Sequence, residues 1–236
     1  MSPRLLGFLS LLGTLFFLAS LTLLHIIRTD IDWTAHYVSD FANGPYGFLF
    51  LVAVLVHGAG NLALAAGLFK CLGSHSFRDW ASVLFGAAAA VLFGTAALGI
   101  FVVGIFPIDP SGIPSSQVGF IHEAATAVSF PLELAAFFLF SLAFSRSSGW
   151  RMRETLSFTL SILATIGLSI FFATVLIDWM PGLGERIALA SFFPWELWVA
   201  WRLARKPIIE GADGNSGSAE GQVEIGGMIE GEHYEQ

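Results

Sequence analysis

The chain has little charge and almost no cysteine. Only 12% of its 236 residues are Asp, Glu, Lys or Arg, whereas an ordinary soluble domain carries about 25%. So little charge, together with a small number of basic residues, excludes a disordered chain, a coiled coil and a basic nucleic-acid-binding domain. The single cysteine, Cys71, excludes an intrachain disulfide and a metal cluster of the cysteine type.

Hydrophobic residues are what the chain has in excess. They make up 55% of the sequence, and the mean hydropathy is +0.73. A helix needs about 20 apolar residues to cross the hydrocarbon core of a bilayer, and six stretches meet this requirement: about 5–27, 47–69, 80–106, 118–145, 155–177 and 187–204. We therefore predict an all-α integral membrane protein, with a six-helix transmembrane domain over residues 1–206 and the lipid bilayer as its partner.

The basic residues predict how this domain is oriented. Nine of the eleven flank one side of the predicted bundle, and only Arg28 and Arg186 lie on the other. Because positive flanks stay in the cytoplasm, both termini are expected there, in a protein of the plasma membrane. The alternative that the first stretch is a secretory signal peptide is weaker, since its apolar run continues past Ser20 to Ile27 and exceeds the usual signal core.

The last thirty residues differ from the rest in composition. Residues 207–236 contain seven acidic residues and no Lys or Arg, which accounts for the whole net charge of -7. Such a segment has too little apolar surface to offset the entropy lost on ordering. We predict a disordered acidic cytoplasmic tail.

An internal repeat relates the even-numbered predicted helices. Residues 119–134 and 182–197 align with seven identities in sixteen positions, among them the pair Glu133 and Glu196. Asn61 takes the same place in the second helix. The aspartates Asp40 and Asp109, and likewise Asp109 and Asp178, are 69 residues apart. This pattern predicts that the bundle is built from three αα-hairpin repeats.

Carboxylates and imidazoles are concentrated in the predicted outer connections. The set comprises Asp30, Asp32, His36, Asp40, Asp109, His122, Glu123, Asp178 and Glu185. Asp40, Asp109 and His122 are candidate metal ligands or, with His122 as general base, candidate catalytic residues. The simpler interpretation is that these loops are acidic because positive charge is kept inside. No HExxH or GxSxG motif is present to decide between these readings.

A second polar set lies deeper in the predicted helices. His57 and Asn61 share one face of the second helix, and Glu133 and Glu196 occupy repeat-equivalent positions. Because an isolated carboxylate in hydrocarbon is costly, we expect these residues to form one intramembrane polar layer. The layer is interpreted either as interhelical hydrogen bonding or as a proton or cation relay. By contrast, Trp195, Trp198 and Trp201 are expected at the lipid-facing or interfacial surface.

Several segments resemble a known family. They are residues 37–47 (YVSDFANGPYG), residues 104–110 (GIFPIDP), the following His122, and residues 184–186 (GER). Over residues 5–204 the chain is similar to the multi-pass membrane family catalogued as "domain of unknown function 998". The resemblance implies the helical bundle and draws attention to Asp40, Asp109, His122 and Arg186, without implying a mechanism. The chain departs from the family at Glu185, where an uncharged polar residue is expected.

Three functions are compatible with these features. The first is a protein whose outward-facing pocket, formed by Asp40, Asp109, His122 and Arg186, binds a lipid headgroup, an ion, a small molecule or a partner. The second is a membrane-embedded hydrolase, with or without a metal ion, that uses His122 with Asp40 and Asp109. The third is a proton-coupled transporter that uses the intramembrane layer. The sequence identifies no cofactor and does not decide whether the protein is an enzyme.

Overall fold

The computed structural model describes residues 1–72, 79–110, 113–147, 150 and 154–205. In this part of the chain the secondary structure is entirely helical. The six α-helices are α1 (Pro3–Ile27), α2 (Gly47–Cys71), α3 (Trp80–Ile105), α4 (Gln117–Ser145), α5 (Glu154–Leu176) and α6 (Pro181–Arg205), and a short 3-10 helix spans Val38–Ala42. The predicted tail lies outside the described residues.

Five of the helices, α1 to α5, are long and apolar enough to cross a membrane. The sixth, α6, is as long but carries five charged residues, which lower its hydropathy: Glu185, Arg186, Glu196, Arg202 and Arg205. It also begins six residues earlier than the apolar pattern indicated. Pro181 occupies the first helical position, where its fixed φ and missing N–H are no disadvantage.

The helices pack in chain order around a ring. Each helix contacts the next, and α6 returns to contact α1. The least extensive contact between consecutive helices is that between α4 and α5. Gly13 and Gly60 allow α1 and α2 to approach until their backbones touch, because a Cβ atom at Gly13 would lie 2.9 Å from the Val56 carbonyl oxygen. Small residues permit such close helix packing where lipid supplies no hydrophobic driving force.

The two ends of the ring carry different connections. We call the end with residues 28–46, 106–116 and 177–180 the long-loop end. We call the other, where α1 begins and α6 ends, the terminal end. The neighbouring positions of Gly7 and Ala204 show that these two helix ends lie together.

Aromatic side chains fill the middle of the bundle. Trp195 is fully buried, and its ring stacks on Phe137 with centroids 4.1 Å apart. The expectation that Trp195 faces lipid is therefore wrong. A spacing of three places the tryptophans of α6 near one another on the helix surface, but it does not show whether that surface faces lipid or the protein core. Phe93 and Phe140 also lie against Trp195. Their rings cover the apolar surface of the indole that we expected to contact lipid.

A buried arginine organises the 28–46 connection. Arg28 pairs with Asp30 through two contacts of 2.8 Å, and its Nη1 donates to the carbonyl oxygens of Asn43 and Pro45 at 2.8 and 2.9 Å. The hydrogen bonds to Asp30 raise the pKa of Arg28 and lower that of Asp30. Arg28 thus joins the beginning of the connection to its end. The 3-10 helix lies in the segment between these two contacts.

Candidate functional site

A histidine and a glutamate from two different helices meet in the centre of the bundle. The Nε2 atom of His57 on α2 lies 2.8 Å from Oε2 of Glu196 on α6. Thr14 on α1 donates its hydroxyl to the same oxygen at 3.3 Å. Glu196 is 1% exposed and His57 is 5% exposed. The His57 ring stacks on Phe17 with centroids 4.8 Å apart, which fixes the direction in which its nitrogen points.

A second carboxyl group joins this pair. Glu133 on α4 lies within hydrogen-bonding reach of the Glu196 carboxyl group and is 4% exposed. Its Oε1 atom is buried, with no hydrogen-bond partner among the residues that the structure describes. The positions that the repeat aligned, Glu133 and Glu196, therefore do come together. We call His57, Glu133 and Glu196 the acid–imidazole cluster.

Asn61 lies apart from this cluster. It is buried one turn further along α2, and neither polar atom of its side chain has a partner within the described ranges. It does not line the cavity described next. The helical spacing of four placed His57 and Asn61 on one face correctly, but one turn of helix separates them along the bundle axis.

The acid–imidazole cluster opens onto a cavity of about 80 Å³ inside the ring. The cavity extends from the cluster toward the long-loop end, where His122, Ser39 and Glu185 line it. Between the two ends it is lined by Thr126, Ser129 and the rings of five phenylalanines: Phe17, Phe50, Phe130, Phe192 and Phe193. One cavity thus joins residues from the two polar sets that the sequence suggested separately.

His122 is oriented by the backbone. Its Nδ1 lies 2.7 Å from the carbonyl oxygen of Phe106 and 3.1 Å from that of Val103, at the end of α3. Because both partners are acceptors, Nδ1 carries a hydrogen, and Nε2 is the nitrogen that accepts a proton when the imidazole is neutral. Neither Asp40 nor Asp109 hydrogen-bonds to His122 in the part of the chain that is described.

Asp109 stabilises the start of α4. Its carboxylate accepts hydrogen bonds from the backbone N–H of Ser116 at 2.6 Å and from the Ser116 hydroxyl at 2.9 Å. Ser116 in turn caps α4 by accepting from the N–H of Gly119. This arrangement satisfies N-terminal groups of a helix, as Asp and Ser side chains commonly do.

Asp40 is buried in the 3-10 helix and accepts a hydrogen bond from the Tyr37 N–H at 2.8 Å. Burial raises the pKa of its carboxyl group, against the opposing effects of that hydrogen bond and of nearby His36, Arg186 and His122. Asp40 and His122 are therefore close enough to interact electrostatically. Across the described residues, however, no group of three or more His, Cys, Asp or Glu side chains is placed to hold a metal ion.

Arg186 and Glu185 tie the 28–46 connection to α6. Arg186 donates from Nε to Nε2 of His25 at 2.8 Å and from Nη1 to the carbonyl oxygen of His36 at 2.8 Å. Glu185 accepts a hydrogen bond from the backbone N–H of Val38. Both residues thus contribute to closing the long-loop end, and Glu185 also lines the cavity.

A groove of about 380 Å³ lies beside the cavity, between α4 and α5 near the long-loop end. It shares Ser39, His122, Thr126 and Glu185 with the cavity, so the two spaces adjoin. Its other walls are Tyr37, Ile108, Glu123, Ala127, Phe171, Phe172 and Val175. The groove follows the least extensive contact between neighbouring helices of the ring.

Sequence reasoning missed four polar contributors to this site: Thr14, Ser39, Thr126 and Ser129. Each is an ordinary small polar residue of the kind found throughout membrane helices and loops, and no spacing pattern distinguishes it. Glu185 was noted as an outer carboxylate, but its contact with the Val38 N–H depends on the path of the loop. Only the fold shows that Ser39, Thr126 and Glu185 surround one space and that Thr14 donates to Glu196 beside it.

Comparison with known proteins identifies the family. Neither the curated proteins nor the solved structures include a match to the chain. The model of one family, described as "Protein of unknown function (DUF998)", matches residues 11–202. This match agrees with the apolar helices and confirms the resemblance noted from residues 37–47, 104–110 and 184–186. Because the match covers most of the chain, the protein is a member of the DUF998 family of multi-pass membrane proteins.

Proposed function

We propose that this protein binds a small ligand in the intramembrane cavity and couples binding to a proton held by the acid–imidazole cluster. One observation carries the proposal: a single cavity is lined both by residues of the long-loop end and by the buried His57, Glu133 and Glu196. This proposal combines the ligand-binding and proton-coupling interpretations of the sequence.

The coupling follows from the charge of the cluster. Two carboxyl groups within hydrogen-bonding reach of each other cannot both be ionised in a buried site without a compensating cation, so they share a proton. His57 supplies at most one positive charge, and its Nε2 is already directed at Glu196. A ligand that changes the charge near Glu133 therefore changes how many protons the cluster holds.

The proposal includes an orientation. We infer that α6 is a sixth membrane-spanning helix, that the helices form three hairpins, and that the terminal end faces the cytoplasm in the plasma membrane. Support comes from the close packing of α6 with α1 and α5, and from the sequence pattern, in which nine basic residues flank one side of the predicted bundle and two flank the other. The cavity then opens toward the outside.

Infrared spectroscopy of the protein in lipid nanodiscs tests the shared proton. At neutral pH the wild type is expected to show the carbonyl stretching band of a protonated carboxylic acid. Glu133→Gln should remove the component of this band that the pair contributes, because no carboxyl pair remains, while any component from the buried Glu185 carboxyl group should persist. Asp32→Asn, at an exposed carboxylate of the 28–46 connection, should leave it unchanged. A folded wild type without the band would contradict the proposal.

A hydrolase is a second candidate, supported by one observation. The Nδ1–H of His122 is held by two carbonyl oxygens, which leaves Nε2 as the nitrogen that can act as a base, and His122 lines the cavity together with Ser39 and Ser129. This arrangement presents a base beside hydroxyl groups. A hydrolase would lose turnover of an ester or amide lipid in His122→Ala while keeping it in Glu133→Gln. The reverse ranking, with ligand binding lost in Glu133→Gln, favours the first proposal.

A further inference from the structure

The ligand class is indicated by the polar atoms and charges around the cavity and the adjoining groove. We infer that the site takes an alkylammonium ion, with its ammonium group at Glu133 and its apolar chain in the groove between α4 and α5. This inference rests on the proposed function and specifies the ligand of the same site.

The first observation is the unpartnered oxygen of Glu133. Glu133 lines the cavity, and its Oε1 atom is buried without a donor in the described residues. An unsatisfied buried acceptor destabilises the protein, and more so when it is charged. A ligand that brings N–H donors to this oxygen removes that destabilisation, and a primary ammonium group brings three.

The second observation is the sign of the charges. The described walls of the cavity and the groove contain four carboxyl groups, two imidazoles and no Lys or Arg. The carboxyl groups belong to Glu123, Glu133, Glu185 and Glu196. Such a lining attracts a cation and repels a carboxylate or a phosphate. The guanidinium group of Arg186, next to Glu185 in the chain, donates to His25 and to the His36 carbonyl oxygen.

The third observation is the aromatic surface. Phenylalanine rings line the cavity from the acid–imidazole cluster toward the long-loop end. The faces of aromatic rings attract ammonium groups. Tyr37, Phe171 and Phe172 continue this surface into the groove, together with Val175. A ligand with a cationic head and an apolar chain matches this order of surfaces from the cluster to the groove.

The volumes indicate how such a ligand divides between the two spaces. A cavity of about 80 Å³ accommodates an ammonium group with its first carbon atoms, and the groove of about 380 Å³ accommodates a longer chain. Thr126 and Ser39 line both spaces, so the ligand would pass between them. The groove also gives an amphiphile a route from the lipid beside α4 and α5.

Binding of three probes of equal chain length tests the inference. Hexylammonium, hexanol and hexanoate are added to the full chain in nanodiscs, and the melting temperature and the carboxylic acid band are recorded. Hexylammonium alone is expected to raise the melting temperature and to remove the band, because its charge replaces the shared proton. Glu133→Gln should weaken its binding at least tenfold, whereas Asp32→Asn should not change it.

A second variant separates the groove from the cluster. Ala127 is exposed and lines the groove, so Ala127→Phe fills the groove without changing any charge. This variant should lose hexylammonium binding while keeping methylammonium binding. Equal binding of hexanol and hexylammonium, or unchanged binding in Glu133→Gln, would overturn the ligand class. If the wild-type band is present in that case, the shared proton of the proposed function still stands.

Discussion

The buried carboxyl group of Asp40 makes the long-loop end sensitive to pH. Burial raises its pKa above that of the unfolded chain. The folded state therefore binds the proton more tightly, so the contribution of Asp40 to stability is greatest at low pH. That contribution is lost as the pH rises from the unfolded pKa through the raised folded pKa.

Asp40→Asn is expected to remove this dependence. Asn retains a side-chain oxygen that can accept the Tyr37 N–H, but it does not ionise. The melting temperature of the wild type, relative to that of the variant, should therefore fall as the pH rises above about 4. Thermal unfolding in detergent across this range measures the difference. A constant difference between the two proteins would show that Asp40 has an ordinary pKa.

Individual residues also show what sequence could and could not establish at this scale. The carboxyl pair was predictable, because the alignment of residues 119–134 with 182–197 gave Glu133 and Glu196 the same depth in two helices. The contact between His57 and Glu196 was not predictable. His57 and Asn61 share one face of α2, so the sequence did not decide which of them meets a glutamate. Which side chain completes a contact depends on the rotation of each helix about its own axis, and α2, hydrophobic over most of its surface, carries no signal for that rotation.

Among the elements, α1 to α5 follow closely from the apolar pattern. Their ends differ from the predicted boundaries by at most two residues. The apolar pattern predicted neither the early start of α6 nor the burial of Trp195. The buried face of a membrane helix is marked by small and polar residues more than by hydrophobicity. The 28–46 connection was the least predictable, since Arg28 and Arg186 organise it through backbone carbonyl oxygens that no side-chain pattern reveals.

The contact between the 28–46 connection and α6 requires a glycine. A Cβ atom at Gly182 would overlap the backbone of His36, which cannot move as a side-chain tip can. Gly182→Ala should destabilise the protein by about 1–3 kcal/mol through overpacking. Denaturation followed by tryptophan fluorescence provides the measurement.

Gly94 in α3 provides the matched control. A Cβ atom there would meet only the Ala65 side chain, at an ordinary 3.9 Å. Gly94→Ala should be neutral or should stabilise the protein by up to about 1 kcal/mol, because alanine is the better helix former. Equal effects of the two substitutions would show that the 28–46 connection does not pack closely against α6 at Gly182.

At the scale of the whole molecule, the closed ring of helices explains why the cavity exists. Each helix contacts its two chain neighbours, and proline residues at positions 131 and 194 remove a backbone hydrogen bond in α4 and α6 beside the acid–imidazole cluster. The apolar exterior meets lipid, and the polar side chains of α2, α4 and α6 are directed inward. The resulting polar interior is what the ligand-binding account requires of a membrane protein.

In the proposed orientation, the intramembrane cavity is reached from the long-loop end, outside the cell. The most direct test labels a cysteine at position 126, introduced as Thr126→Cys in a Cys71→Ala background, because Thr126 lines both the cavity and the groove. Val128→Cys, at an exposed apolar position of α4, is the control. We predict that a charged, membrane-impermeant methanethiosulfonate added outside intact cells modifies position 126 but not position 128. Modification of position 126 only from the cytoplasmic side, or only after unfolding, would contradict the account.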